Sequence, residues 1–233
     1  MLDNVALQLD NIGMAYKRRA GFMRYETSWA LRKLSFEVHS GESLGIIGRN
    51  GAGKSSLLRL LAGISKPSEG SITTRSSFVA LLSLNLGFIP NLSGRQNVRI
   101  SGMLYGLDRA HIEELLPAIV EYSELKQAID HPVATYSAGM KARLGFATAT
   151  VVEPDILLID EILGVGDLSF RKKSSATMRN RLKSDKTAIF VSHNMNEVRA
   201  LCDRVIWLEH GALHMSGSPD EVISAYERSM GSP

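Results

Sequence analysis

The chain has 233 residues, of which 44% are hydrophobic and 22% charged, proportions typical of a globular protein with a substantial core. Its formal net charge of +3 is slight for this length, so composition gives no support to a nucleic-acid-binding function. The single cysteine, Cys202, excludes an internal disulfide framework, and its apolar helical setting predicts a buried small hydrophobe.

The sequence predicts neither a secretory signal nor a membrane-spanning segment. Residues 1–6 contain no basic start and no apolar run, so no secretory signal is predicted and we expect a cytoplasmic protein. The most apolar window, residues 78–89, is interrupted by Ser83, Asn85 and Gly87 and is well short of the roughly 20 residues that span a bilayer. Any membrane role is therefore expected to come through a partner.

The predicted elements alternate between strands and helices. The basic stretch 17–24 predicts an irregular exposed loop. Mostly apolar segments then predict buried strands at residues 43–47, 155–159, 187–191 and 204–208. Strands without a polar face indicate a parallel sheet covered on both sides, as in α/β proteins.

The strand signals disappear between about residues 94 and 152. This region predicts helices, with Asp108 as an N-cap and with Pro117 and Pro132 as interruptions. The sequence therefore predicts an all-helical insertion within an α/β core.

Residues 48–55, Gly-Arg-Asn-Gly-Ala-Gly-Lys-Ser, fit the phosphate-binding pattern G-x-x-x-x-G-K-[ST] between a predicted strand and the amphipathic helix 56–62. The glycines allow successive backbone N–H groups to point at phosphate oxygens, and the following helix adds its positive N-terminal end. Lys54 is placed to reach the β- and γ-phosphates, and Ser55 to offer its hydroxyl to Mg²⁺. The segment predicts a nucleoside triphosphate site with magnesium, formed by Gly48, Asn50, Gly51, Ala52, Gly53, Lys54, Ser55 and Ser56.

Polar side chains follow two other predicted strands. Asp160 ends the strand at 155–159 and is expected beside the phosphate loop as a Mg²⁺ ligand. Glu161 points elsewhere and is placed to orient, or accept a proton from, the water that attacks the γ-phosphate. His193 follows the strand at 187–191 and is predicted to contact the γ-phosphate. The alternatives are a polar strand end and a structural histidine.

The segment between the phosphate loop and Asp160 narrows the class of nucleotide-binding protein. Residues 136–140, Tyr-Ser-Ala-Gly-Met, followed by the helical stretch 141–150, resemble the signature sequence of ABC ATPases. The resemblance implies a second helix-end anion site, at Ser137 and Gly139 within the signature Ser137, Ala138, Gly139 and Met140. This site would bind the γ-phosphate of an ATP molecule held by another copy of the chain. Ala138 stands where the commonest version has glycine, and Met140 where it has glutamine.

Other elements of that family have counterparts here. Residues 164–167 resemble the D-loop, whose aspartate, here Asp167, helps to couple the two nucleotide sites. Tyr16 corresponds to the aromatic residue that stacks on adenine, with Tyr25 and Trp29 as competitors because residues 17–28 look like an insertion. The glutamine that the family places before the helical insertion is missing, and Ser83 or Asn85 would stand in its place.

The resemblance implies the α/β fold of a P-loop NTPase: a RecA-like core with an antiparallel β portion and an inserted all-helical ABC subdomain. A single ABC ATPase domain is expected over residues 1–233. Its core would comprise about residues 1–92 and 153–233, and its helical subdomain about residues 93–152. The implied ligands are ATP and Mg²⁺.

Particular patterns at 29–32, 87–95, 136–146 and 165–167 resemble the ATPase subunits of bacterial polysaccharide exporters. This implies ATP-driven transfer of a lipid-linked polysaccharide, O-antigen first, with capsule or teichoic acid as alternatives. The implied partners are a second copy of the chain and a transmembrane permease, in two copies, that contacts residues 83–105 at the cytoplasmic face of the inner membrane. The polysaccharide would be only an indirect partner, and no nucleic acid is expected. Some O-antigen members carry a C-terminal carbohydrate-binding domain, which we do not expect in a chain ending at Pro233.

Three alternatives fit less well. A soluble ABC protein acting on DNA or ribosomes would usually have two ATPase halves or a long coiled-coil insertion. An importer or lipoprotein-exporter ATPase should show the signature Leu-Ser-Gly-Gly-Gln. A nucleotide-binding module without activity is disfavoured by the presence of Glu161 and His193.

Overall fold

The computed structural model of the chain describes residues 4–19, 25–76, 78–82, 87–161 and 165–231. It divides into two units, the first formed by Met1–Ser77 with Leu182–Pro233 and the second by Phe78–Arg181. In chain order, the first unit contains β1 (Val5–Arg19), β2 (Tyr25–His39), β3 (Ser43–Ile47), α1 (Lys54–Leu61), β4 (Glu69–Thr74), β7 (Thr187–Val191), α6 (Met195–Leu201), β8 (Arg204–Glu209), β9 (Ala212–Gly217) and α7 (Pro219–Gly231). The second contains β5 (Val79–Leu82), α2 (Gly94–Leu104), α3 (Arg109–Ser123), a 3₁₀ turn (Val133–Thr135), α4 (Ala138–Val151), β6 (Ile156–Asp160) and α5 (Leu168–Leu182), which ends at the boundary.

An antiparallel sheet of the first unit has the strand order β2-β1-β4. β1 and β2 pair along their whole length, from Val5 opposite His39 to Arg19 opposite Tyr25. The expected irregular loop over residues 17–24 is therefore wrong for its first three residues, which continue β1. The reason is that ladder hydrogen bonds to the start of β2 hold these residues extended, although no apolar pattern marks them as a strand.

The parallel strands of the first unit place β3 between β7 and β8, and β9 runs antiparallel to β8. All five residues of β3 and of β7 are buried. The second unit holds the parallel pair β5 and β6. The four strands predicted from apolar segments are all present within one residue at each end, which confirms the α/β class.

The helices of the second unit begin at side-chain caps. Ser93 and Gln96 form a capping box at the start of α2, and Asp108 accepts a hydrogen bond from the His111 N–H at the start of α3, as predicted. The interruption predicted at Pro117 is wrong, because Pro117 lies inside α3 and the helix continues past it. It removes one helical hydrogen bond, but packing of the buried face of α3 keeps the helix continuous.

Helix packing in the second unit produces a separate hydrophobic cluster. Its members come from α2, α3, α4 and the segment between α3 and α4, and they include Val98, Leu116, Ile119, Leu125, Ile129, Tyr136 and Leu144. Each fully buried aliphatic side chain stabilises the fold by roughly 1.5–3 kcal/mol. The predicted helical insertion therefore has its own core.

Cys202 ends α6 and is 8% exposed, as its apolar setting predicts. Burial raises the pKa of its thiol to about 12, so the thiolate is not formed at neutral pH. Among the helices that the structure describes, none has the length and apolar character needed to cross a membrane.

Candidate functional site

The phosphate loop at residues 48–55 joins β3 to α1. Gly48 has a φ angle of 149°, and a Cβ atom on it would lie 2.3 Å from the carbonyl oxygen of Leu208. Gly53 has a φ angle of 101°, and a Cβ atom on it would lie 2.5 Å from the carbonyl oxygen of Ala30. Gly51 also has a positive φ, of 81°, but a Cβ there would meet nothing within 4 Å. The loop is thus packed against neighbouring backbone at both ends and open in its middle, and side chains are excluded where the backbone must curl.

The first turn of α1 offers uncapped N–H groups. Its N-cap is Gly53, which has no side chain to accept a hydrogen bond from them. A helix N-terminus in this condition attracts anions through both its N–H donors and its dipole. The phosphate loop therefore ends in a site suited to phosphate.

Lys54 lies within the curl of the loop. The residue is only 7% exposed, and its Nζ donates hydrogen bonds to the carbonyl oxygens of Gly48 at 2.7 Å and Arg49 at 3.1 Å. A buried ammonium group needs such oxygen partners. The arrangement places one positive charge inside the loop.

The turn between β8 and β9 braces the loop from outside. The Gly211 N–H donates to the carbonyl of Ala52 at 3.2 Å, and the Arg32 N–H donates to the carbonyl of Gly211 at 2.8 Å. Gly211 has a φ of 80°, and a Cβ there would lie 2.6 Å from the carbonyl oxygen of Ala30. Sequence reasoning missed this glycine, although its place two residues after the end of an apolar strand is a signal for a tight turn.

Tyr16 lies close to the phosphate loop. Its hydroxyl is 3.3 Å from Ser56 Oγ in α1, and 42% of the residue is exposed. Trp29 instead packs on the sheet, since its ring lies 2.9 Å from where a Cβ of Gly13 would be. The side chain of Tyr25 lies outside the described residues. The contact of the Tyr16 hydroxyl with α1 favours Tyr16 over Trp29 as the adenine-stacking residue.

His193 lies at the same sheet edge as the phosphate loop. Ile46 of β3 pairs with Val191 of β7, so Gly48 and His193 each follow that pair by two residues. The imidazole is exposed. The buried Ser192 Oγ accepts a hydrogen bond from the Asn194 N–H at 3.1 Å, which fixes the bend that carries His193.

Asp160 is the last residue of β6 in the second unit, and Glu161 follows it. Leu82 pairs with Ile159, so Asp160 follows at the carboxyl end of both β5 and β6. Asp160 is half-buried, and Glu161 is exposed with a φ of 61°. A left-handed conformation at a residue other than glycine is strained by roughly 1–2 kcal/mol, and such strain concentrates at functional sites.

Ser137 is the N-cap of α4. Its Oγ accepts a hydrogen bond from the Met140 N–H at 3.2 Å, and Ser137 and Ala138 are exposed. A Cβ on Gly139 would approach only Ser137 Oγ, at 3.8 Å. Met140 packs against the hydrophobic cluster of the second unit. The helix N-terminus therefore presents an open surface beside a serine hydroxyl, whereas Met140 is partly a packing residue.

Asp167 precedes α5 and caps it. Its Oδ1 accepts hydrogen bonds from the Phe170 N–H at 3.1 Å and the Ser169 hydroxyl at 3.0 Å, and these bonds hold the pKa of the carboxyl below its usual range. Arg143 Nη1 of α4 lies 3.8 Å from Asp167 Oδ2. The structure therefore brings the predicted D-loop aspartate next to the predicted signature helix. Gly164, at the start of the predicted D-loop, lies outside the described residues.

The predicted residues are divided between the units. The phosphate loop, Tyr16 and His193 belong to the first unit. Asp160, Glu161, the signature residues and Asp167 belong to the second. Ser83 and Asn85, the candidates for the missing glutamine, lie outside the described residues.

Comparison with protein-family models matches residues 31–164, more than half of the chain, to the family described as "ABC transporter". The chain belongs to the ABC transporter family. The matched region contains the phosphate loop, the signature and the acid pair. Tyr16, Asp167 and His193 lie outside it.

Among ABC transporter proteins, export subunits are similar to the chain over most of its length. An O-antigen export system ATP-binding protein of Klebsiella pneumoniae is 44% identical over 214 residues, which are 92% of this chain and 87% of that protein. A teichoic acids export ATP-binding protein of Shouchella clausii is 41% identical over 199 residues, 85% of this chain and 55% of that protein. These similarities confirm the predicted resemblance to polysaccharide exporters.

Solved structures of the ABC transporter family share the fold. A dimeric ATP-binding cassette in a post-hydrolysis state, bound to ADP and Pi, superposes with a TM-score of 0.73 at 22% identity and covers 91% of this chain and 98% of that one. The ATP-binding subunit of another ABC transporter gives a TM-score of 0.74, also at 22% identity, and covers 95% and 93%. The predicted fold class is therefore confirmed.

Sequence reasoning gave no role to two charged residues of this ABC protein. Arg143 belongs to the pattern that resembles polysaccharide exporters, and Glu124 lies at the end of α3 with a φ of 60°. Only the structure shows that their side chains meet, since Arg143 Nη1 donates to Glu124 Oε2 at 3.5 Å.

Proposed function

We propose that the chain is the ATP-hydrolysing subunit of a bacterial ABC exporter that moves a lipid-linked polysaccharide, foremost O-antigen, across the cytoplasmic membrane. The observation that carries this proposal is the 44% identity to an O-antigen export ATP-binding protein over 87% of that protein. A transmembrane permease would form the path. The chain would lie at the cytoplasmic face of the inner membrane through that permease.

ATP binding is proposed at the phosphate loop. The uncapped start of α1 and the enclosed charge of Lys54 suit the triphosphate, and the open middle of the loop at Gly51 leaves space for it. Tyr16 would stack on the adenine ring, because its contact with Ser56 places it beside the first turn of α1. Asn50 and Ala52 would contribute backbone N–H donors.

Magnesium is proposed to bind Ser55 and Asp160. The exposed Ser55 hydroxyl and the half-buried Asp160 carboxylate are oxygen ligands, which Mg²⁺ prefers, and both are chemically fit for it. When bound, the ion would neutralise charge on the phosphates.

Hydrolysis is proposed to depend on Glu161 and His193. Glu161 would accept a proton from the attacking water, since its exposed carboxylate is not the one assigned to magnesium. His193 would donate a hydrogen bond to the γ-phosphate, because the β3–β7 register places it level with Gly48.

Two copies of the chain are proposed to share each ATP molecule. Lys54 of one copy and Ser137 of the other would contact the same nucleotide from opposite sides. The exposed Ser137 and the open surface at Gly139 support this, because such a helix N-terminus offers donors to a phosphate supplied from outside the unit. Asp167 would link the two sites.

The permease contact is proposed on the second unit, near the end of α2. Exposed apolar residues at the end of α2 are Met103 at 55% and Leu104 at 81%, and Ile89, which precedes the helix, is 44% exposed. Apolar side chains grouped at a surface mark partner sites more often than single ones do. They fall within the expected contact region 83–105, of which residues 83–86 lie outside the described chain.

Leu104→Asp is expected to abolish co-purification with the permease, because a carboxylate would be buried without a partner in the contact. Its melting temperature should equal that of the wild type, since Leu104 is 81% exposed. Ile64→Asp is the matched control, since Ile64 is 65% exposed in the first unit. Equal permease recovery with Leu104→Asp and Ile64→Asp would contradict the contact.

Deletion of the gene in its own bacterium is expected to remove the long-chain glycan from the cell surface while lipid-linked glycan accumulates inside. Expression of the wild-type chain should restore export, and Glu161→Gln should not. Immunoblotting of intact and lysed cells with a glycan-specific antibody measures both pools. Unchanged surface glycan, or loss of nutrient uptake instead, would contradict the export function.

Teichoic acid is the second candidate substrate, supported by the 41% identity to a teichoic acids export protein. Chemical analysis of the accumulated glycan separates the two candidates. A repeating sugar polymer indicates O-antigen, and a polyol phosphate polymer indicates teichoic acid.

A further inference from the structure

Three helices of the second unit meet around Glu124, the C-cap residue of α3. Its backbone is left-handed, with φ 60° and ψ 27°. Glycine is the usual residue in this position because a Cβ strains the backbone there. A glutamate here is therefore unexpected from backbone preference alone, and its side chain has to supply the reason.

The carboxylate of Glu124 joins the other two helices. Oε2 accepts a hydrogen bond from Arg143 Nη1 of α4 at 3.5 Å, and Oε1 accepts one from Lys173 Nζ of α5 at 3.1 Å. Each oxygen thus pairs with a cation from a different helix.

Arg143 extends this network to Asp167. Its Nη1 lies 3.8 Å from Asp167 Oδ2, and its guanidinium lies 5.8 Å from the ring centre of Phe170. The side chain is only 20% exposed, and its Nε is buried without a hydrogen-bond partner in the described ranges. A guanidinium that is mostly buried depends on nearby carboxylates to offset its desolvation, so Glu124 and Asp167 both fix its position.

Lys173 anchors the network to packed rings. Its Nζ donates to the carbonyl of Tyr122 at 3.0 Å and lies 4.4 Å from the centre of the Tyr122 ring. Tyr122 contacts Phe146 of α4 and Phe170 of α5, with ring centres 6.0 Å and 5.9 Å apart. The charged network therefore lies on a rigid aromatic base, and α4 cannot shift against α5 without disturbing both.

We propose that Glu124 is a positioning residue that fixes the D-loop aspartate Asp167 relative to the signature serine Ser137 of the same subunit. Arg143 follows Ser137 by six residues on one helix, about 9 Å along its axis. The inference rests on the proposed dimer, in which Ser137 and Asp167 both meet the other copy. A displaced Asp167 would weaken that dimer without altering the phosphate loop of its own subunit.

The test measures ATP-dependent dimerisation by analytical ultracentrifugation in a Glu161→Gln parent, in which bound ATP is retained. Glu124→Gly should weaken the dimer by about tenfold, within the range of typical coupling between sites. Affinity for a fluorescent ATP analogue at subunit concentrations below dimerisation should stay within about twofold of the parent. The melting temperature should change little, because glycine relieves the left-handed strain while the loss of the ion pairs removes stabilisation of Arg143.

Three further variants separate positioning from general structure. Glu124→Gln keeps side-chain length and should weaken the dimer as Glu124→Gly does, and adding Arg143→Gln should cause little further loss because both act through one network. Glu121→Gln is the matched control, since Glu121 lies on the same helix and lines the same cavity of about 640 Å³. It forms no ion pair among the described residues, so its dimer should match the parent.

The outcomes distinguish this inference from the proposed function. A parent that binds ATP and never dimerises would overturn the dimeric mechanism itself. If both Glu124 variants dimerise as strongly as the parent, the role of Glu124 is overturned and the proposed function still stands. Equal weakening by Glu121→Gln would also overturn it, because the effect would then follow from lost surface charge.

Discussion

Replacing Glu161 with glutamine is expected to slow ATP hydrolysis by at least about 100-fold, the lower range for loss of a general base. The amide has the same shape as the carboxylate but cannot accept the proton of the attacking water. ATP affinity should be retained, because Glu161 is not part of the phosphate loop. The variant should therefore accumulate as an ATP-bound dimer. In size-exclusion chromatography it should elute as a dimer with ATP and as a monomer without ATP.

Glu153→Gln provides the matched control for this substitution. Glu153 precedes β6 as Glu161 follows it, and the two residues have similar left-handed backbones, with φ angles of 50° and 61°. The control removes the same charge from a position just outside the opposite end of β6 and should hydrolyse ATP at the parent rate. The catalytic role of Glu161 would be refuted if its glutamine variant also kept the parent rate and stayed monomeric in ATP.

Lys54→Ala is expected to abolish nucleotide binding, with a loss of affinity on the order of 100-fold or more from the charged hydrogen bonds to phosphate. The substitution also removes the two bonds that Lys54 Nζ donates to the carbonyls of Gly48 and Arg49. Both effects act on the phosphate loop, because the side chain is enclosed by it. Isothermal titration with ATP and with ADP measures the loss.

The control for Lys54→Ala removes a positive charge from the other end of the same helix. Arg59 is exposed in the last turn of α1, so Arg59→Ala should bind ATP normally and unfold at nearly the same temperature. Thermal unfolding of Lys54→Ala shows whether the loop or the whole unit is affected. Normal ATP affinity in a folded Lys54→Ala variant would remove the phosphate loop from the proposed mechanism.

Features decided by neighbouring residues were predictable from the sequence. Apolar runs located β3, β7 and β8, and the Asp108 cap of α3 followed from local helix signals. Pro117 shows the limit of local signals, because packing of the buried face of α3 outweighs one missing hydrogen bond. The strand at residues 17–19 was missed because its partner, rather than its own composition, holds it extended.

Contacts between distant residues needed the structure. The closeness of Tyr16 to Ser56 depends on how β1 lies over α1, which no spacing in the sequence states. The level placement of His193 and Gly48 depends on the pairing of β3 with β7. The network of Glu124, Arg143 and Lys173 joins three helices. Charged residues occur on many exposed helix faces, so the sequence does not single out these three.

The brace between Gly211 and Ala52 has a consequence for the order in which the chain becomes active during synthesis. The phosphate loop is made early, but β3 pairs on both sides with strands that begin at Thr187 and Arg204, and the turn at Gly211 follows them. A nascent chain that carries only the loop lacks both its neighbouring strands and its outer support. We therefore expect nucleotide affinity to arise late, after residues 187–211 have left the ribosome.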